Sequence, residues 1–94
     1  MDLEKLEKMA KLLLKETPNG HSLLAYNSAF AAKFSNLMQV ASHVLPDHQA
    51  LFMSAVSKIN SSFTLSDAVS ITWRLLDILE TEKYRARQTS KIKI

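Results

Sequence analysis

Ninety-four residues with a net charge of +3 leave room for one domain. Hydrophobic residues make up 47% and charged residues 22%, a globular balance rather than a disordered one. The absence of cysteine excludes disulfides, thiolate metal sites and thiol catalysis, and a single glycine with two prolines disfavours a turn-rich all-β fold.

The first predicted helix runs from Asp2 to Glu16. Leu3, Leu6, Met9, Ala10, Leu13 and Leu14 recur at helical spacing along one stripe. Glu4 before Lys8 and Glu7 before Lys11 are acid-to-base pairs four residues apart, which support an exposed helix face. An isolated helix of this length is marginal in water, so the stripe needs a partner. Pro18 and Gly20 end it.

A second helix is expected from Ser22, read as its N-cap, to Val44. Leu23, Tyr26, Phe30, Phe34, Leu37, Met38, Ala41 and Leu45 form its core face, and Asn27 falls on the same side. Ala25, Ser28, Ala29, Ala32, Ser35 and Asn36 lie opposite and read as helix surface. A third helix starts at Pro46 or Asp47, since proline costs nothing in a first turn. Phe52, Ala55, Val56 and Ile59 make its stripe, with Leu51 alongside, and Asn60-Ser61-Ser62 stops it.

The fourth helix opens on a capping-box pattern, Thr64-x-x-Asp67, and is expected to reach about Ala86. Leu65, Ala68, Val69, Thr72, Trp73, Leu76 and Leu79 occupy one side, with Ile71, Leu75 and Ile78 around the flank. Together they span an arc on the order of 200° at 3.6 residues per turn, where an outer bundle helix needs only about 100°. Either this helix is central or its flank meets another chain. The second expectation is slightly favoured, which assigns Ile71, Leu75 and Ile78 to a partner interface with Trp73 at its edge. Asp77, Glu80 and Glu82 lie on the wet side and aid solubility.

From Lys83 onward there are five basic residues and no acid. Arg85, Arg87, Lys91 and Lys93 are the candidates for contact with an acidic protein or with phosphates. The same charge also suits a frayed helix C-terminus. Ser90 to Ile94, with isoleucines alternating with lysine, offers a weaker option of adding as a strand to a partner's sheet edge.

The sequence therefore predicts an all-α, compact four-helix bundle: residues 1–88 form a single helical domain, and 89–94 a short, flexible basic C-terminal tail. No motif is specific enough to assign a family. No glycine-flanked serine, phosphate-binding loop or converging acid–base–nucleophile set is present, so no catalytic residue is assigned. His21, His43 and His48 lack metal-ligand spacing, and neither a metal nor a cofactor is expected. The N-terminus lacks a signal-peptide pattern and no apolar run has membrane-spanning length, which points to the cytoplasm and no membrane.

The function expected is a non-enzymatic protein–protein interaction module, an adaptor, inhibitor or chaperone-like regulator. It is expected to self-associate as a homodimer through helix four. The alternative is a DNA-binding transcriptional regulator using helices three and four plus the tail. Ala55 and Leu65 suit a helix-turn-helix, but Ile59 or Asn60 stands where its turn glycine belongs, and Asp67, Asp77, Glu80 and Glu82 would repel phosphate. A third reading is a structural subunit whose greasy flank is covered in a larger assembly.

Overall fold

The computed structural model describes residues 3–18, 22–59 and 61–92, excepting the side chains of residue 25 and of residues 86–92. Four helices account for most of them: α1 (Leu3–Glu16), α2 (Ser28–Val44), α3 (Gln49–Lys58) and α4 (Leu65–Ile92). Short 3₁₀ turns precede α2 (Leu24–Tyr26) and α3 (Pro46–His48). The fold is the all-α bundle its periodicity predicts. None of its helices is long and apolar enough to cross a membrane among the described residues.

The amphipathic stripes explain the packing. Helix α2 contacts α1 and α3, and α1 also packs on α4. Leu6, Ala10 and Leu13 of α1 meet Phe34, Leu37, Met38 and Ala41 of α2, Phe52 and Ala55 of α3, and Leu65, Ala68, Leu75 and Leu79 of α4 in one buried cluster. The two hydroxyls buried among the described residues are satisfied within their own helices. Ser42 donates to the Met38 carbonyl at 2.9 Å and Thr72 to the Ala68 carbonyl at 2.7 Å, which avoids the cost of an unpaired buried donor.

The start of α4 is the capping box. The Thr64 N–H donates to Asp67 Oδ2 at 2.9 Å, and the Asp67 N–H donates to Thr64 Oγ1 at 3.2 Å. Two otherwise orphaned donors are satisfied reciprocally, a contribution of about 1 kcal/mol.

The start of α2 differs from expectation. Ser22 does not cap a helix. The chain at Leu23 instead pairs antiparallel with Thr64 as an isolated bridge. The Leu24 N–H donates to the Phe63 carbonyl at 2.8 Å and the Leu65 N–H to the Ser22 carbonyl at 3.1 Å. This long-range backbone pairing outcompetes a local cap. The 3₁₀ turn that follows shifts the helical register, and Tyr26, expected in the core, is 79% exposed. Asn27 occupies the cap position, its carbonyl accepting from Ala31 N–H at 2.8 Å.

The bridge places the α1–α2 connection beside the beginning of α4. At the other end Lys83 Nζ lies 3.0 Å from Glu7 Oε1. Helices α1 and α4 therefore run antiparallel. One turn beyond that ion pair lies Leu3, the first residue of α1, and on α4 the corresponding level is Arg87. Helix α4 continues past it to Ile92, farther than the expected end at Ala86. Its 28 residues make a rod of about 42 Å, against about 21 Å for the 14 residues of α1.

Candidate interaction groove

Helix α4 has two faces with different fates. Leu65, Ala68, Thr72, Leu75 and Leu79, spaced three and four apart, are all buried. Trp73, Asp77, Glu80 and Tyr84, also spaced four and three apart, are all exposed. The buried meridian runs through Leu75, which was expected on the flank, and Trp73, expected at the edge of the apolar arc, lies outside it.

This placement corrects the expected interface. Leu75 is fully buried and is spent on the monomer's own core. Ile71 and Ile78 are half-buried and pack against that core, so the flank is largely covered from within. Trp73 is the one member of the expected set that stands free, 57% exposed. Of the basic candidates, Arg85 is exposed and its guanidinium lies 3.5 Å from Glu82 of the preceding turn. The backbone of Arg87 and Lys91 is helical as part of α4, and their side chains are outside the described residues, as is Lys93 altogether. His21 also lies outside them. Helix through Ile92 covers most of the segment expected as a flexible tail.

The exposed stripe of α4 and the facing side of α1 enclose an open groove of about 440 Å³. Glu7 and Lys11 line it from α1. Trp73, Leu76, Asp77, Glu80, Lys83 and Tyr84 line it from α4. Its ends are aromatic, since Tyr84 is 61% exposed. Between the rings stand Asp77 and Glu80, neither of which is ion-paired with a described residue. Sequence reasoning placed both carboxylates on a solvated face and weighed Tyr84 beside Trp73 without assigning it to the interface. The signal was the four–three–four spacing from Trp73 to Tyr84, but only the antiparallel seat of α1 turns that stripe into a groove.

Lys83 ties the groove's two walls together. Its side chain and that of Glu7 are 25% and 26% exposed. The hydrogen bond from Lys83 holds the Glu7 carboxyl below the usual glutamate range against the opposing effect of burial, and Lys11 at 3.9 Å adds to the lowering. A lowered folded-state pKa means that the unfolded chain binds more protons in this range, so the contribution is complete above the ordinary glutamate pKa and is lost as pH falls through the lowered value. Glu7→Gln removes this part of the acid limb. Urea melts at neutral and acid pH should show wild type losing up to about 1 kcal/mol more than the variant. Parallel losses in both would show that the pair carries no such linkage.

Other surface features are poorer candidates. A groove between α1 and α2 includes the exposed Leu12 together with Met9, Leu37 and Asn36. Its two charged residues, Glu16 and Lys33, are paired with each other, which leaves nothing to orient a ligand. No three His, Asp or Glu residues come close enough to hold a metal ion among the described residues. Compared with known protein families, characterised proteins and solved structures, the chain matches none.

Proposed function

We propose that this chain is a non-enzymatic protein-interaction module of the cytoplasm, an adaptor, inhibitor or chaperone-like regulator that grips its partner through the α1/α4 groove. The observation that carries this reading is the exposure of Trp73 and Tyr84 at two ends of one groove on rigid helices. Tryptophan and tyrosine bring large contact area at little entropic cost and dominate the binding energy of protein interfaces. The DNA-binding alternative draws on the positive charge near the C-terminus, and exposed Asp67, Asp77 and Glu80 along α4 argue against it.

The test is affinity capture from the native cells after nuclease treatment, with wild type and Trp73→Glu compared. The substitution is at an exposed position, and circular dichroism should show an unchanged helical melt. Wild type is expected to retain a stoichiometric protein partner and the variant to lose it, with affinity falling about 30-fold or more. Equal recovery by both, or a partner that disappears with the nucleic acid, would overturn the reading.

A further inference from the structure

We propose that the occupant of the α1/α4 groove is a second copy of this chain, whose C-terminal part of α4 docks antiparallel along the first. The inference rests on the groove being a protein-binding site and goes on to name what fills it.

The four–three spacing of the exposed stripe continues in the sequence along the α4 backbone beyond Tyr84. In register it reads Trp73, Asp77, Glu80, Tyr84, Arg87, Lys91. Its first half carries two acids and its second half two bases. Turn a second α4 end for end about a two-fold axis level with Glu82. Trp73 then comes opposite Lys91, Asp77 opposite Arg87, and Glu80 opposite Tyr84, each pairing occurring twice. A cation meets an aromatic ring, an acid meets a base and a phenol meets a carboxylate. All six positions of the stripe find a complementary partner, as an isologous interface requires.

Competing alignments are repelled. A parallel, in-register pair sets Asp77 on Asp77, Glu80 on Glu80 and Arg87 on Arg87. An antiparallel pair shifted to bring Trp73 opposite Tyr84 sets Asp77 against Glu80. Like charges across an interface disfavour both. The geometry of the monomer fits the remaining alignment. The described part of α1 reaches the level of Arg87 and α4 runs on to Ile92, which offers its last turns to the groove of the other copy. There Asp77 receives a base and Glu80 a phenol.

Sedimentation equilibrium of the full chain tests this with two charge reversals, Asp77→Arg and Arg87→Asp. Wild type is expected to be a dimer. Each single variant breaks two symmetry-related charge pairs and should weaken the dimer at least about 100-fold. The two variants mixed in equal amounts should form a heterodimer, because one 77–87 pair then has its charges exchanged and the other is the native Asp77–Arg87 pair. The double variant in one chain should dimerise again. The mixture keeps the test sharp even where a single change perturbs the helix. A monomeric wild type, single variants that dimerise as well as wild type, or a mixture that stays monomeric would each overturn the proposal. A monomeric wild type whose capture of another protein still depends on Trp73 would leave the interaction-module reading standing and remove only the second copy.

Discussion

Leu75→Asp is expected to abolish the cooperative unfolding transition, while a charge at neighbouring Trp73 leaves it intact. Leu75 is 0% exposed and sits between Thr72 and Leu79 on the buried meridian of α4. Truncation to alanine removes its buried methyl groups and leaves a cavity, at a cost of about 2–5 kcal/mol. Aspartate adds a carboxylate with no cation to receive it in an apolar cluster, and such a group costs several kcal/mol more or must protonate. A domain of this size has only about 5–10 kcal/mol to lose. Urea titration followed by circular dichroism should therefore show Leu75→Ala folded with a lower midpoint and Leu75→Asp without a cooperative transition. A folded Leu75→Asp with altered assembly would put the Ile71–Leu75–Ile78 flank back at an interface between chains.

That contrast marks where the sequence stops being legible. The stripe of α1, the core face of α2 from Phe30 to Leu45 and the capping box at Thr64 and Asp67 follow from local periodicity and local hydrogen bonding. Each involves residues close in the chain. The width of the apolar arc on α4 is legible too, but not which part of it is innermost. Thr72 helps to decide that, because its hydroxyl is satisfied by the Ala68 carbonyl and can go inside, whereas the large Trp73 stays outside. The entry to α2 fails for a related reason. Ser22 has the chemistry of a cap, but its carbonyl is taken by Leu65 N–H, forty-three positions away. The groove shares that dependence on distant residues. Trp73, Asp77, Glu80 and Tyr84 mark a stripe in the sequence, and the Glu7–Lys83 pair that seats α1 beside it joins the two ends of the chain.

Phe34→Ala is expected to cost about 3–5 kcal/mol, with an effect that reaches beyond α2. Phe34 is 0% exposed in the middle of the helix that contacts both α1 and α3. Its ring centroid lies 5.6 Å from that of Phe63 in a tilted pair, an arrangement worth about 1 kcal/mol beyond burial. Phe63 immediately precedes Thr64, and its carbonyl receives the Leu24 N–H. Removing the Phe34 ring thus empties the core and loosens the residue that holds the Leu23–Thr64 bridge. Hydrogen exchange should show the Leu24 amide losing protection beyond the fall in global stability, while the Met38-to-Ser42 turn of α2 loses no more than that fall. Phe34→Leu keeps most of the buried volume and should recover part of both losses. A cost below about 1 kcal/mol, outside the range for a buried phenylalanine, would mean that the four helices do not converge on this ring. Protection lost equally at Leu24 and throughout α2 would mean that the bridge is not anchored through Phe63. The bridge ties the start of α4 to the connection between α1 and α2, so its anchoring bears on how firmly α4 is seated beside α1, where Trp73 and Tyr84 line the groove.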